Sequence, residues 1–382
     1  MPSSHTAVRR RPKDRKAQIV GAARALFAEH GYPNVTMAQI ADQVDITAGG
    51  LYRHFANKSV LLSTIIEIGF EEMTPTFDPE LSLAQTLAEA AELAVAHPDA
   101  GGLWLRESRH LPEEMRAGLQ KRLVRVNKRY AGLIQIERPE LTFAGAEQLA
   151  WGVQSILASP SSHSTRLAMP EFAMLLSGAC QALCAVAVST PRPVTEREPT
   201  LRPVSKRESL LGHATVLFGQ NGYDATGLDD IGAAAGVTGP NLYSYFGSKA
   251  DILQAVLDRG DSALWLLLHA VLHDNDDPRA AITALVHGYV ELAINGTIFT
   301  SLLQSGQVKS ADLSGRQREY VAEWTALLRA ARPELNDVTA RVRVHTALAV
   351  ANTLANASYY LWRNGAFAGD LAAMTDAVLF DS

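Results

Sequence analysis

The sequence predicts an all-α protein made of two tandem copies of one unit, each with a three-helix head and a helical body. The first observation behind this prediction is an internal repeat that relates the two halves of the 382-residue chain. The second is a set of long segments with apolar residues at helical spacing and few strand signals. These segments are residues 81–96, 113–136, 171–188, 279–294, 316–331 and 340–362.

The repeat is continuous over the first part of each half. Residues 15–62 align without a gap when the sequence is shifted by 191 residues. The matched pairs include Leu26-Phe27 with Leu217-Phe218, Gly31-Tyr32 with Gly222-Tyr223, and Leu51-Tyr52 with Leu242-Tyr243. Farther along, "RPEL" occurs at residues 138–141 and again at 332–335, offset by 194. We therefore expect that the whole half-chain was duplicated.

A proline-rich segment joins the two copies. Residues 189–203 contain four prolines and charges of both signs, which favours an extended and rather stiff linker. The predicted domains are a first head at residues 1–62, a first body at 63–188, this linker at 189–203, a second head at 204–253 and a second body at 254–382.

The elements of the first head follow from its helix signals. Apolar residues between Lys16 and His30 recur at helical spacing, and Gly31 is a stop. The pattern from Thr36 to Gln39 is a capping box for a second helix, and Thr47 is a suitable cap for a third.

The second head has the same elements. Gly236 suits a left-handed turn, Thr238 caps, and Pro240 lies in the first turn of the third helix. Two short helices joined by a tight turn and braced by a longer helix make a helix-turn-helix, whose second helix enters the DNA major groove.

Two stretches of the chain resemble one known family, the tetracycline-repressor-like (TetR) transcriptional regulators. They are "GYPNVTMAQIADQVDITAGGLYRHFANKSVLL" (residues 31–62) and "GYDATGLDDIGAAAGVTGPNLYSYFGSKADIL" (residues 222–253). The resemblance implies two tandem TetR-like halves in a repressor that binds a double-stranded DNA operator and is released by a small-molecule effector. Members of the family usually form homodimers with one head per chain, and this chain carries two.

Candidate DNA-contacting residues lie around the third helix of each head. The small residues Ala48-Gly49-Gly50 let the positive helix end approach phosphate closely, although glycines at a tight turn also serve geometry alone. Tyr52 and Tyr243 resemble the family tyrosine that contacts phosphate, and Asn241 is able to hydrogen-bond adenine. The full set is Arg10, Arg11, Thr36, Gln39, Thr47, Ala48, Gly49, Gly50, Tyr52, Arg53, His54 and Lys58 in the first head, and Thr226, Thr238, Gly239, Asn241, Tyr243, Tyr245 and Lys249 in the second.

The charge of the whole chain does not indicate a nucleic-acid binder. The net charge is −5 and charged residues make up 20%, so DNA binding has to rest on a local patch. Residues 1–62 have nine Lys or Arg and four Asp or Glu, whereas residues 192–253 have six and seven. The first head also has a basic arm, "RRRPKDRK" at residues 9–16. Since phosphate neutralisation drives most DNA affinity, we expect the first head to bind DNA more strongly.

The bodies offer aromatic residues that line a ligand pocket or, more commonly, fill a core. These weaker candidates are Trp104, Trp151, Phe172, Trp265, Phe299 and Trp324. The sequence shows no catalytic, phosphate-loop or metal signature, so we expect no enzyme, cofactor or metal site. Cys180 and Cys184 fit two small buried residues. Without a secretory signal or a bilayer-spanning run, the expected location is the cytoplasm, with no membrane partner.

Two architectures remain open from the sequence. One chain folds as an intramolecular pseudo-dimer of its halves, which the duplication favours, or two chains form a homodimer with four heads. Heads about 34–36 Å apart would match one turn of DNA. A rival function is a small-molecule-binding or enzymatic helical protein whose heads are degenerate.

Overall fold

The computed structural model describes residues 12–165, 167–189, 203–237, 239–296, 311–356 and 367–380. Across these ranges the regular structure is helical, with no strand, which confirms the predicted all-α fold. The helices of the first half are α1 (Pro12–His30), α2 (Met37–Gln43), α3 (Ala48–Tyr52), α4 (Lys58–Met73), α5 (Leu83–Ala96), α6 (Ala100–Glu107), α7 (Glu113–Glu137), α8 (Phe143–Ala158) and α9 (Met169–Cys184). Short 3-10 turns occupy Tyr32–Asn34, Ser108–His110 and Ser159–Ser161.

The second half repeats this order. Its described helices are α10 (Lys206–Asn221), α11 (Leu228–Ala235), α12 (Gly239–Leu242), α13 (Lys249–Asp274), α14 (Pro278–Ile294), α15 (Ala311–Ala331), α16 (Asp337–Asn356) and α17 (Phe367–Phe380).

The chain forms two compact units. The first comprises Met1–Met73 and Asp99–Val124, and the second comprises Thr74–Pro98 and Arg125–Ser382. The predicted boundaries at residues 62 and 253 fall inside α4 and α13, because each of these helices closes its head and then continues without a break.

The first unit has one apolar core shared by α1, α2, α3, α4 and α6. Leu51 and Phe55, four residues apart at the third helix, are 0% and 2% exposed. Trp104 of α6 belongs to the same core and meets the ring of Phe70 edge-on at 5.6 Å. Close packing of α6 on α4 requires Gly69, since a Cβ there would lie 3.1 Å from the carbonyl oxygen of Ala100.

The second head has an equivalent core in the second unit. Phe218, Leu242 and Phe246 occupy the positions of Phe27, Leu51 and Phe55, and all three are buried. The same three-helix head therefore forms twice from the repeated pattern.

Helices of the two bodies pack against their own counterparts within the second unit. α8 packs against α16, and α9 packs against α17. The Ser159 and Thr346 hydroxyl oxygens lie 3.3 Å apart at this interface, and the rings of His163 and His345 stack at 4.6 Å. A Cβ on Gly152 would lie 2.6 Å from the terminal carbon of Met374, so glycine permits the close approach. Pairing of equivalent elements is the pattern of a two-fold interface between identical subunits.

The repeated "RPEL" motif has the same structural task in both copies. Arg138 donates to the carbonyl oxygens of Cys184 and Val186, at 2.7 and 3.2 Å. Arg332 donates to the carbonyl oxygen of Leu379 at 3.3 Å. Each arginine thus satisfies carbonyl groups left open at the end of the last helix of its half.

Candidate nucleic-acid interface

The helix-turn-helix of the first head is held by two side-chain caps. Thr36 and Gln39 form the predicted capping box, in which the Thr36 hydroxyl accepts from the backbone nitrogen of Gln39 at 3.2 Å. Thr47 caps α3 by accepting from the backbone nitrogen of Gly50 at 3.1 Å. Asp45 takes the left-handed turn position, with φ of 52°, where the second head has Gly236 with φ of 62°.

The recognition helix of the first head presents a row of exposed residues. Tyr52 is 52% exposed, and its neighbours Arg53 and His54 are also exposed. The two glycines differ: a Cβ on Gly49 would meet nothing within 4 Å, whereas one on Gly50 would lie 3.3 Å from the Thr47 hydroxyl. Packing within the head therefore accounts for Gly50 and leaves Gly49 open to a role at the surface.

The second head exposes a different set on the same scaffold. Asn241 is exposed, and Tyr243 and Tyr245 are 60% and 40% exposed. Gly239 begins α12. The predicted cap Thr238 lies outside the described residues. The aligned positions thus offer Arg53 and His54 in one head against Ser244 and Tyr245 in the other.

The structure gives Lys58 and Lys249 a role inside the head. The Lys58 ammonium donates to the carbonyl oxygens of Tyr32 and Val35, both at 2.8 Å, and lies 4.1 Å from the Tyr32 ring centre. Lys249 repeats this on Tyr223 and Thr226, at 2.9 and 3.0 Å. Two of the three N–H donors of each ammonium are thus used within the head, and the contact of these lysines with phosphate stays a prediction.

Thr226 also has a different role from the one predicted. It is 1% exposed, and its hydroxyl donates to the carbonyl oxygens of Leu217 and Gly222, at 3.2 and 2.8 Å. It neither caps α11 nor faces solvent, so a phosphate contact is excluded. The cap position of α11 stays at Gly227, which aligns with Thr36 and has no side chain to cap with; its nitrogen donates to the Asp230 carboxylate at 2.8 Å.

Acidic residues mark the N-terminus of α11. Asp229 and Asp230 are exposed in its first turn, where α2 of the first head has Ala38 and Gln39. A helix N-terminus attracts anions, and here carboxylates already occupy it. The second head is therefore less suited than the first to hold phosphate at this point.

Part of the predicted basic arm belongs to the first head itself. Arg10 and Arg11 lie outside the described residues, and α1 begins at Pro12. Arg15 donates to the carbonyl oxygen of Val44 at 2.9 Å, and the Lys16 ammonium lies 5.4 Å from the Phe55 ring centre. Arg15 and Lys16 therefore brace the helix-turn-helix, which shortens the arm.

A buried carboxylate that the sequence did not point to lies beneath the first head. Glu107, at the end of α6, is 3% exposed and accepts the backbone N–H of Tyr32. Burial raises the pKa of Glu107, while that N–H and the charges of Arg109, Arg106 and Lys58 act in the opposite direction. Burial lowers the pKa of Lys58, and the Glu107 charge opposes this change.

His110 completes the group around Tyr32. Its ring stacks on that of Tyr32, with 5.5 Å between centres, and its Nε2 lies 3.6 Å from the Glu107 carboxylate. The same nitrogen is 3.4 Å from Arg109 Nε, a donor. No local motif marks Glu107 in the sequence, since Tyr32, whose N–H it accepts, lies 75 positions earlier in the chain.

Of the candidate ligand contacts, three are fully part of a core. Trp104, Phe172 and Trp324 are buried, and Trp104 packs in the first unit with the head rather than in a body pocket, so its prediction as a ligand contact is corrected. Trp151 and Trp265 are half-buried, and Phe299 lies outside the described residues. Trp265, Tyr320, Trp324 and Tyr289 form a series of ring contacts with centres 5.7 to 6.3 Å apart.

Other site types find no support in the described part of the chain. No three His, Cys, Asp or Glu side chains there come together as a metal site. Cys180 and Cys184 are buried in α9, and burial raises the pKa of the Cys184 thiol to about 12. None of the described helices combines the length and apolar character that a membrane span requires.

Comparison with known proteins identifies both heads. The family described as "Bacterial regulatory proteins, tetR family" matches residues 19–65 and 210–256. The activator FasR of Mycolicibacterium smegmatis is 35% identical over 86 residues, 22% of this chain and 39% of that protein. The repressor ComR of Escherichia coli is 45% identical over 56 residues, 15% and 27% of the respective chains. The chain thus spans less than half the length of these curated relatives.

Among solved structures, a TetR-family transcriptional regulator from Bordetella parapertussis is 22% identical in sequence. The match covers 47% of this chain and 96% of that one, with a TM-score of 0.42.

Proposed function

We propose that this chain, a TetR-like protein with two tandem helix-turn-helix domains, is a DNA-binding transcriptional regulator that a small molecule releases from its operator. The observation that carries the proposal is the repeated presentation of a short recognition helix followed or ended by an exposed tyrosine, Tyr52 in one head and Tyr243 in the other. Relatives include a named activator and a named repressor; repression is the direction we propose. Such a regulator meets its operator in the cytoplasm.

In the proposed complex each recognition helix enters a major groove. The positive end of α3, with Gly49 free of packing demands, approaches the phosphate backbone, and the Tyr52 hydroxyl donates to a phosphate oxygen. Arg53 and His54 supply the long polar side chains of the first head, and Asn241 those of the second. Asparagine pairs with adenine through two hydrogen bonds, so Asn241 is the proposed base contact.

The proposed functional particle is one chain, folded as a pseudo-dimer. Support comes from the packing of α8 on α16 and α9 on α17, since the surface that pairs two subunits of a homodimer is here covered by the other half of the same chain. A single chain then brings two heads to one operator.

The effector site is proposed for the second body. Its series of aromatic rings from Trp265 to Tyr289 spans α13, α14 and α15, and the Tyr289 hydroxyl donates to Asn352 of α16 at 2.8 Å. Aromatic walls with a few fixed polar groups are the usual composition of a small-molecule site. Quenching of tryptophan fluorescence by a compound that also releases DNA would support this location, and loss of the response in Trp265→Phe would assign it.

The proposal is tested by selecting duplexes from a randomised DNA pool with the full chain. We expect enrichment of one sequence, and about tenfold or greater loss of affinity for it in Tyr52→Ala. Leu266→Ala is the matched control, since Leu266 is 70% exposed on α13 and lies outside both predicted heads in the sequence. Asn241→Ala should weaken the selected duplex while leaving random DNA unchanged; equal weakening of both would exclude a base contact.

Failure to enrich any duplex at low or moderate salt would reject DNA binding. It would favour the rival, a small-molecule-binding or enzymatic helical protein with degenerate heads. That rival draws support only from the second head, where Asp229 and Asp230 occupy the helix N-terminus.

A further inference from the structure

The carboxylate of Glu107 connects α6 to the turn that precedes the helix-turn-helix of the first head. One contact is the backbone N–H of Tyr32, and the other oxygen, Oε2, has no hydrogen-bond donor among the described residues. Burying a carboxylate while one of its oxygens lacks a donor costs free energy. We therefore infer that Glu107 does more than fill space in the core. The contact joins residues 75 positions apart, both within the first unit.

The turn held by Glu107 leads directly into α2. Tyr32 begins the 3-10 turn, and Thr36, four residues later, is the N-cap of α2. Lys58 fixes the carbonyl groups of Tyr32 and Val35 on the other side of the same turn. A displacement of Glu107 therefore acts on the start of the helix-turn-helix through a hydrogen bond and a closely packed ring rather than through a flexible loop.

The turn of the second head is otherwise built the same way, but the sequence offers no carboxylate at the position of Glu107. Lys249 holds the carbonyl groups of Tyr223 and Thr226, and Phe218 packs on Tyr223 as Phe27 does on Tyr32. Positions equivalent to Glu107 fall at Ile298 or Ser301, depending on the offset, and residues 295–310 contain no Asp or Glu. Tyr223 is half-buried where Tyr32 is 9% exposed.

We propose that Glu107 is a positioning residue that ties the turn before α2 to α6 and thereby sets the affinity of the first head for DNA. The DNA-affinity part of this inference rests on the proposed function; the tie itself does not.

Hydrogen exchange of the full chain without DNA tests the tie directly. In Glu107→Ala we expect the amides of residues 31–36 to exchange at least about tenfold faster, since a hydrogen bond to a charged group is lost. Residues 222–227 should be unchanged. Glu107→Gln should retain the wild-type rate, because its amide oxygen accepts the same N–H. Glu113→Ala is the matched control, an exposed glutamate of the same unit.

Unchanged exchange at residues 31–36 in Glu107→Ala overturns the proposal, as does an equal increase at both turns. Where Glu107→Ala loses the fold of the first unit, Glu107→Asp replaces it: the shorter side chain keeps the charge but withdraws from Tyr32, and the same local increase is expected.

Affinity for the selected duplex gives the functional readout. We expect about tenfold weaker binding in Glu107→Ala or Glu107→Asp, with recovery in Glu107→Gln. A local increase in exchange together with wild-type affinity would overturn the control of DNA binding through this residue. Absence of any selected duplex for the wild-type chain would instead reject the proposed function and leave the exchange result valid.

Discussion

Lys58 and Lys249 turn their ammonium groups into their own heads, onto carbonyl oxygens of the turn before α2 and α11. Each ammonium adds a charged donor to carbonyl groups at the start and end of that turn. The repeat of the lysine in both heads therefore has a structural reason within the head. At the residue scale, the exposed Tyr52, Arg53 and His54 remain the proposed contacts in the first head.

Replacing Lys58 with Met should affect stability and not the electrostatics of DNA binding. Two carbonyl groups lose a charged donor, and we expect the first head to be destabilised by about 1–3 kcal/mol. The measure is urea denaturation, together with the salt dependence of DNA affinity. If Lys58 contacted a phosphate, Lys58→Met would reduce the magnitude of the slope of log K against log salt by about one. That result would support the phosphate contact.

Glu107 should make stability depend on pH in a known direction. Its pKa is raised by burial above the ordinary 4.5, so the folded protein holds the proton more tightly than the unfolded chain does. Stability from this group is present below pH 4.5 and is lost as pH rises through the raised pKa. Glu107→Gln has no group that titrates there, so it does not lose this stability. The melting temperature of Glu107→Gln minus that of the wild type should therefore increase as pH rises from 4.5 through the raised pKa. A constant difference would mean that Glu107 titrates normally.

At the scale of the element, α2 and α11 are equivalent helices, uncharged at the start in the first head and acidic in the second. The sequence predicted the position of both helices, because capping residues and apolar spacing are local signals; the weaker second head stays a prediction. It could not show that Thr226 is buried or that Asp230 caps Gly227, since both depend on how the turn closes. The sequence did not point to Glu107 for the same reason, since its partner Tyr32 is near in space and distant in sequence.

Two substitutions that exchange the aligned residues Ala38 and Asp229 test the role of the N-termini of α2 and α11. Ala38→Asp places a carboxylate at the N-terminus of α2, which favours the helix by roughly 0.3–1 kcal/mol but repels phosphate. We expect unchanged or slightly higher thermal stability and clearly weaker DNA binding. Asp229→Ala in α11 should leave DNA affinity equal or higher. Stronger binding by Ala38→Asp, measured by fluorescence anisotropy, would contradict the assignment of this helix end to the DNA face.

At the scale of the whole molecule, the helices that pair the bodies come from one chain. Duplication and the linker were evident in the sequence, but which helices pair was not, because α8 and α9 look like any other apolar helices. The tight contact of Gly152 with Met374 and the stacked His163 and His345 are tertiary features without a sequence signature.

Pairing of the two bodies within one chain predicts that the protein is a monomer in solution. In dilute solution, sedimentation equilibrium should give 41.2 kDa, the mass of one chain, and the same single chain should occupy the selected duplex. Gly152→Leu should destabilise the second unit, because the side chain would occupy the space of Met374 and Leu183. Gly212→Leu is the control, since a Cβ at that glycine meets nothing within 4 Å. A stable mass of two chains would overturn the intramolecular arrangement.

Packing of each helix on its own counterpart within one chain also changes what a single mutation can do. In a homodimer one codon alters both recognition helices at once, so the two half-sites of an operator have to change together. Here the codons for Arg53 and Ser244 are separate, so each head can change alone. In the proposed complex, operators with two unlike halves are thereby accessible to a single chain.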